Sequence, residues 1–365
     1  MYLETITINQ YKNIEMAELS FSPSLNCFVG NNGSGKTNVL DAIHYLSLTK
    51  SATAIADKLC VKYDKDFFIL KGRYESFGED KPQTITATYK SGKRKKIMFS
   101  NKEYEKLSDH IGRFPLVMIS PSDVALISDT PSIRRQFINT FFSQIDPEYL
   151  SLMIRYNGIL AQRNSYLRDY SGDSMLLDIV SEQLAEVGQR IYSLRQRHTA
   201  TLAPIVSEFY KRISGGSEVI EVEYISKLSD GSMIDLLRAS LQRDLALGHT
   251  SCGIHRDDLS LNMNGYPIRG VGSQGQQKSL LLALKLSEAR VIAERCGRKA
   301  ILLLDDVFDK LDMSRVENLV ELVSGEDFGQ IFISDANKVR LEGIVEKFDT
   351  NFKMFEMSEG NAELI

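Results

Sequence analysis

The chain has 365 residues, 43% of them hydrophobic and 25% charged, enough for one large domain or two moderate ones around a sizeable core. Its formal net charge of −4 excludes a small basic DNA-binding module but leaves room for a local basic patch. No apolar run is long enough to span a membrane, residues 1–5 lack a secretory pattern, and Cys27, Cys60, Cys252 and Cys296 lie far apart without a CxxC pair, as expected of reduced thiols in a cytoplasmic protein.

In chain order, residues 5–11 and 16–21 predict a short hairpin, and Leu25-Asn26-Cys27-Phe28-Val29 a buried strand ending at glycine. A helix follows over 36–48, with Val39, Leu40, Ile43 and Leu46 on one face. Alternation at 67–74, 84–89 and 97–99 predicts an antiparallel meander. Its turn at Ser91-Gly92 carries Lys90, Lys93, Arg94, Lys95, Lys96 and Lys102, either a solvated hairpin end or a phosphate-binding patch. The middle of the chain reads as helical: Ile133, Phe137 and Phe141 are spaced by four, and Tyr149, Leu152, Met153, Tyr156, Ile159 and Leu160 continue the stripe. Leu177, Val180, Leu184, Val187, Ile191 and Leu194 form a heptad-like row too short for a coiled coil, so it predicts a core-facing helix. Residues 170–173 read as a turn, and residues 214–217 end the last long helix. A helix over 275–293, an apolar strand over 300–304 and a strand over 331–333 then predict a mostly parallel sheet.

Three motifs carry chemistry. Gly30-Asn31-Asn32-Gly33-Ser34-Gly35-Lys36-Thr37, continued by Asn38, fits the P-loop pattern between a strand and a helix. Its glycines let backbone N–H groups curl around an anion, the helix start adds unpaired donors, Lys36 reaches outer phosphates and the Thr37 hydroxyl ligates magnesium. Ile301-Leu302-Leu303-Leu304-Asp305-Asp306 delivers two carboxylates to a strand end: Asp305 to hold Mg2+, Asp306 to orient or deprotonate the attacking water. Gly272-Ser273-Gln274-Gly275-Gln276-Gln277-Lys278 opens a long helix and forms a second anion nest. It resembles the ABC ATPase signature, in the divergent form of DNA-repair and chromosome-maintenance members. In such enzymes the signature caps the γ-phosphate held by a second subunit, so Ser273 is expected to act in trans in an ATP-dependent homodimer. Val307-Phe308-Asp309-Lys310-Leu311-Asp312 is similar to a D-loop. Ser334-Asp335 stands where transporters place a switch histidine, and either residue is a candidate γ-phosphate sensor.

The whole chain resembles the RecF family of bacterial DNA replication and repair proteins. The resemblance rests on Gly30–Asn38 with Asp41-Ala42-Ile43, Pro121-Ser122-Asp123 with Arg134-Arg135, Gly253-Ile254-His255-Arg256-Asp257-Asp258, the signature, and the segment 304–312. Ile254 replaces the proline usual in the family and Asp41 the usual glutamate, neither in phosphate chemistry. The resemblance implies an α/β P-loop NTPase of the ABC/SMC head type: a mixed sheet with an antiparallel β part over 1–110 and 250–365, and an inserted, mainly helical lobe over 111–249. It further implies ATP and Mg2+ as cofactors, ATP-dependent dimerisation on DNA at single-strand gaps or junctions, and slow, DNA-dependent hydrolysis. RecR, RecO and RecA are the implied partners, in the cytoplasm at the nucleoid. Lys93, Arg94, Lys95, Lys96, Arg134, Arg135, His255 and Arg256 are candidates for DNA contact, the last four equally for partner or nucleotide contact; a structural ion pair with Asp257 or Asp258 is the competing role for His255-Arg256, and a solvated helix face for Arg134-Arg135.

Other readings fit less well. An SMC-like head would need paired arms, and Lys36 and Gly275 are too close in sequence to hold long ones as well as the head. A nuclease-coupled ATPase would need a further acidic metal-binding domain, and a transporter subunit the usual signature and the histidine.

Overall fold

The protein's structure, a computed structural model, describes residues 1–75, 81–170, 174–216, 218–309, 311–325, 327–348 and 350–365. Its first part runs β1 (Tyr2–Tyr11), β2 (Ile14–Ser20), β3 (Leu25–Val29), α1 (Lys36–Leu48), β4 (Phe67–Glu75), β5 (Gln83–Lys90), β6 (Lys96–Phe99), β7 (Lys102–Glu103) and β8 (Leu116–Ile119). Then come α2 (Ala125–Ser128), α3 (Pro131–Ile145), α4 (Pro147–Arg168), α5 (Ser174–Ser214), β9 (Ile220–Ile225), α6 (Met233–Ala239), α7 (Leu241–Leu247), β10 (Asp258–Met263), β11 (Tyr266–Pro267) and α8 (Ile268–Val271). The chain ends with α9 (Gln274–Cys296), β12 (Ile301–Asp305), α10 (Met313–Val323), β13 (Ile331–Asp335), α11 (Lys338–Val345), β14 (Phe352–Ser358) and β15 (Asn361–Leu364). Two compact units result: residues 1–124, 212–215 and 274–365, and residues 125–211 and 216–273.

The first unit holds two sheets. One, ordered β2-β1-β4-β5-β6-β7, is antiparallel throughout. Its strand β4 alternates buried and exposed residues, the pattern of a sheet with one covered face. The other is ordered β15-β14-β3-β13-β12-β8; all its pairings are parallel except that of the terminal β15. Strands β3, β12 and β13 are buried along their whole lengths, as central parallel strands covered on both faces must be. Helix α1 packs against strands of both sheets and buries nearly its whole length. Aromatic rings fill the space around it: Tyr11, Tyr45 and Phe68 meet edge to face, and Phe28 stacks near Phe332 and Phe355.

The second unit is built on α3, α4 and α5. The row from Leu177 to Leu194 does face a core, within a 41-residue helix that continues through Pro204 with Leu202, Val206 and Phe209 also buried. Asp146 separates α3 from α4 and caps the latter by accepting from the N–H groups of Glu148 and Tyr149, with Pro147 at the first helical position. The expected turn at 170–173 lies largely outside the described residues, as does Ser217.

Two features of this unit were not anticipated from sequence. Residues 220–225 and 258–263 pair as antiparallel strands, so the insertion is not helical throughout. That pairing, together with the Arg134–Asp258 ion pair, ties residues 250–273 to the helices, and the compact unit runs to Ser273 where sequence reading drew the lobe at 111–249. Buried charge is matched by partners. Arg163, fully buried, donates to Asp244, Thr250 and Ser181. Arg195, also buried, donates to Tyr149, Asn139 and the Ile254 carbonyl, with Asp257 at 3.6 Å. Removing one member of such a pair typically costs about 3–5 kcal/mol, because the other is left buried and unpaired.

Within the first unit, Glu288 on α9 is buried beside Lys285 at 3.5 Å, and Lys285 lies 4.0 Å from Asp123. Burial pushes the Glu288 carboxyl up to about 7, against the pull of Lys285. Its ordinary value is 4.5, so between these limits the folded chain holds a proton that the unfolded chain has released. Stability from this group is therefore complete at low pH and is lost as pH rises through 7. Urea titrations between pH 5.5 and 8 should show that decline, up to about 2 kcal/mol, and Glu288→Gln should flatten it; an unchanged slope in the variant would assign the decline to other groups.

Candidate nucleotide-binding site

Strand β3 delivers the chain to Gly30, whose φ is 153° and where a Cβ would lie 2.4 Å from the Met357 carbonyl oxygen on neighbouring β14. No side chain fits there. Gly33 and Gly35 have φ values of 82° and 115°, in the region that favours glycine. Gly35 begins α1 and no side chain caps that helix, so the N–H groups of Lys36 and Thr37 remain for an anion, while that of Asn38 turns back to the Gly35 carbonyl. Lys36 is buried and folds back across the loop, donating to the carbonyls of Gly30 at 2.6 Å and Asn31 at 3.1 Å. The Ser34 hydroxyl is buried with no partner among the described residues. A cradle closed to side chains, a buried ammonium and an orphan hydroxyl fit a bound polyphosphate.

The loop is braced by the tip of the first hairpin. Asn13 donates to the Gly33 carbonyl at 3.3 Å and accepts from the Asn38 side chain at 2.7 Å. Its neighbour Lys12 pairs with Asp41 of α1 at 2.6 Å, and Asp41 also accepts from Tyr11, Ser51 and the Ala52 N–H. Burial works to raise the Asp41 carboxyl, but Lys12 and these donors hold it below its usual range. Asp41, noted in sequence within the Asp41-Ala42-Ile43 string and as a departure from glutamate, is thus an anchor. Asn13 carried no motif signal: it is one polar residue in a hairpin turn.

Parallel pairing of β12 with β13, and of β13 with β3, brings the other motifs to the same strand ends. Thr37 Oγ1 donates to both oxygens of Asp305 at 2.9 and 3.0 Å, and Ser334 Oγ donates to Asp305 Oδ1 at 2.5 Å. Burial raises the Asp305 carboxyl, while Ser334, Thr37 and the Lys36 charge oppose the shift. The Thr37 hydroxyl and the Asp305 carboxylate are hard oxygens side by side, the donor set a magnesium ion shares with phosphate oxygens. Among the described residues no group of three or more His, Cys, Asp and Glu side chains forms a metal site by itself, so an ion here would be completed by the nucleotide. When bound, it would neutralise phosphate charge.

Asp306 has φ 47°, uncommon for a residue other than glycine, and its N–H donates to the Ser334 carbonyl at 3.1 Å. Burial and then the negative charge of Asp305 raise its carboxyl, which makes it a better proton acceptor than a free aspartate. A cleft of ≈ 620 Å³ opens beside it, with walls that include Asn32, Ser120, Gln274, Lys278, Asp309 and Arg340. Lys278 donates to the Asp309 carbonyl, joining α9 to the segment after β12; Lys310 lies outside the described residues. The signature itself falls at the division between units, Ser273 in one and Gln274 in the other. Arg340 was missed from sequence because it lies beyond the last motif.

The candidate DNA contacts separate into two groups. Arg134 is enclosed: it pairs bidentately with Asp258 at 2.7 and 2.9 Å and donates to the Asp129 carbonyl, which makes it an internal brace and not an open phosphate contact. His255 is likewise engaged at both ring nitrogens, by Tyr156 at 2.8 Å and the Thr250 carbonyl at 3.1 Å. Burial lowers it to about 4, so it is neutral. Arg135 donates to the Asp257 carbonyl at 2.7 Å, and Arg256, exposed, to Thr250 at 3.3 Å. In the basic turn, Lys95 is committed to the Thr49 carbonyl and Asp57, whereas Lys93, Arg94 and Lys96 are exposed, Lys96 in a surface pair 3.4 Å from Glu103.

Residues 2–362 match the model of the RecF/RecN/SMC N-terminal domain family. The chain is 43% identical over 363 residues to the DNA replication and repair protein RecF of Parabacteroides distasonis, covering 100% of this chain and 99% of that protein. It is 41% identical over 362 residues to RecF of Phocaeicola vulgatus, covering 99% and 97%. A solved structure of the recombination mediator protein RecF with ATP, from the RecFOR pathway, superposes with a TM-score of 0.89 at 31% identity, covering 100% of this chain and 97% of that one. An Smc head bound to the C-terminal winged helix of ScpA matches at TM-score 0.58 and 14% identity, a likeness of fold, covering 100% and 97%. With the P-loop, the paired aspartates and this full-length similarity together, the chain belongs to the RecF family of DNA replication and repair proteins, with the ATPase head fold shared by SMC proteins.

Proposed function

We propose that this chain is an ATP-switched DNA-binding protein of recombinational repair and replication-fork maintenance. The observation that carries the reading is the convergence of Lys36, Thr37, Asp305 and Ser334 on one phosphate cradle. Lys36 and the loop N–H groups hold the triphosphate, Thr37 and Asp305 hold Mg2+, and Asp306 orients the attacking water and takes its proton. Ser273, with Gly272, Gln274 and Gly275, caps the γ-phosphate of a second copy, so that ATP holds two subunits together on DNA and slow, DNA-stimulated hydrolysis releases them.

The relatives' names supply the setting: replication and repair, and for the solved structure the RecFOR pathway. By that resemblance RecR and RecO are partners in helping to load RecA at single-strand gaps, in the cytoplasm at the nucleoid. Among the described residues no helix is long and apolar enough to cross a membrane. Of the basic candidates, Lys93, Arg94, Lys96 and Arg256 are the exposed cations for DNA phosphates, Lys96 beside Glu103 and Arg135 half-buried.

Sedimentation without nucleotide, with ATP, and with ATP plus gapped duplex tests the whole reading: monomer, dimer, and a heavier DNA complex are expected in turn. Lys36→Arg should leave the melting temperature near that of the parent but cut ATP turnover at least about tenfold, the weight of one charge-assisted contact; normal turnover would refute the site. Ser273→Arg should bind ATP as a monomer yet form no ATP-dependent dimer by light scattering, and normal dimers would refute capping in trans. Replacing Lys93 and Arg94 by Ala should weaken DNA binding and reduce the slope of log affinity against log salt by about 2 if both meet duplex phosphates. An unchanged slope would remove that turn from the interface.

A further inference from the structure

Three acidic side chains, Asp306, Asp309 and Asp335, stand at or beside the cleft next to the phosphate loop, an unfavourable field for a triphosphate. Among the cations that offset them, with Lys278 in the same wall and Lys36 nearby, is one guanidinium. Arg340, in the first turn of α11, lines the same cleft as Asp306 and Asn32. It is held bidentately by Asp335: Nε donates to Oδ2 at 2.8 Å and Nη2 to Oδ1 at 2.7 Å. Asp335 is itself fully buried, ends β13 and takes a third bond, from the Asn337 N–H at 2.7 Å. In the sheet it pairs with Val29, the residue before Gly30. The Arg340 side chain keeps about a third of its surface exposed, 33%, and its Nη1 has no partner among the described residues.

We propose that Arg340 is a γ-phosphate contact, aimed by Asp335, through which the head distinguishes ATP from ADP. The proposal rests on the nucleotide site described above and adds a residue to it. A bidentate carboxylate fixes the guanidinium plane and leaves the Nη1 edge to donate. Asp335, buried and remote from solvent, is the positioning residue; Arg340 is the group that touches the ligand. The arrangement places a permanent cation near the strand end where transporters of this superfamily carry a switch histidine, a position that here holds Ser334-Asp335. Because arginine stays protonated, the contact does not titrate in the physiological range.

Equilibrium binding of Mg2+ with adenosine 5′-(β,γ-imido)triphosphate, and separately of MgADP, tests this on the full chain. Arg340→Ala should weaken the triphosphate analogue by about tenfold to a hundredfold, the weight of one charge-assisted hydrogen bond, and leave MgADP within about twofold. Asp335→Asn should shift the same ratio in the same direction by less, and Arg340→Lys should restore part of it. If Arg340→Ala fails to fold because it strands Asp335, the double variant Asp335→Asn/Arg340→Gln removes both charges and should show the same triphosphate-selective loss. Equal losses for both nucleotides, or none for either, would overturn the proposal. Wild-type protein that binds neither nucleotide would instead refute the site as a whole, so the two failures are distinct.

Discussion

The register of three parallel strands is the constraint on which the site rests. Strands β3, β13 and β12 lie side by side and end together, with Val29 opposite Asp335 and Asp305 opposite Ser334. Each strand is apolar and buried on both faces, so a slip of one residue would turn buried side chains toward the wrong layer. Register is therefore fixed by the core, and the polar residues that follow each strand inherit their positions from it. The phosphate loop, the two aspartates and the Ser334-Asp335 pair come from segments far apart in sequence. Hydrophobic packing gathers them, and hydrogen bonds only refine the result.

The second layer of control comes from the antiparallel sheet. Its hairpin tip sends Lys12 to Asp41 and Asn13 to Asn38 and Gly33, so one turn grips both the phosphate loop and the helix behind it. Of these, the Lys12 contact reaches a buried acceptor, Asp41, where little water competes for it, while the Asn13 contacts lie nearer the surface. The loop is consequently held in a shape it would not adopt as a free glycine-rich segment.

Much of this was legible in the chain. The phosphate loop, the double aspartate and the long helices announce themselves by local spacing, because a strand that must be buried on both faces is continuous in apolar residues and a glycine loop needs its glycines. Strands β9 and β10 were not legible beside so strong a helical background, although Ile220–Ile225 alternates clearly once its partner is known. Side chains acting across the fold were harder still. Asn13 and Arg340 have no periodicity and no motif; only the strand order puts them beside the loop. Arg134 and His255 show the reverse: both are DNA-contact candidates by sequence, with a solvated helix face and an aspartate ion pair as the respective alternatives, but Asp258 claims Arg134, and Tyr156 and Thr250 claim His255, for internal bracing.

The position of β3 within its sheet has a further consequence for the order of events during synthesis. Its neighbours on the two sides are β13 and β14, so Leu25 pairs with Ile331 and with Phe352, residues made far later than it. Gly360, in the turn after β14, donates its N–H to the Ser34 carbonyl and sits so close to Asn13 that a Cβ there would lie 2.7 Å from its oxygen. A nascent chain emerging from the ribosome therefore carries the phosphate loop long before it owns the walls that shape it. Closing so large a loop of chain is slow relative to local helix formation. Nucleotide capture is thereby deferred until residues 352–360 have been synthesised, and chains that lack them are denied a working pocket.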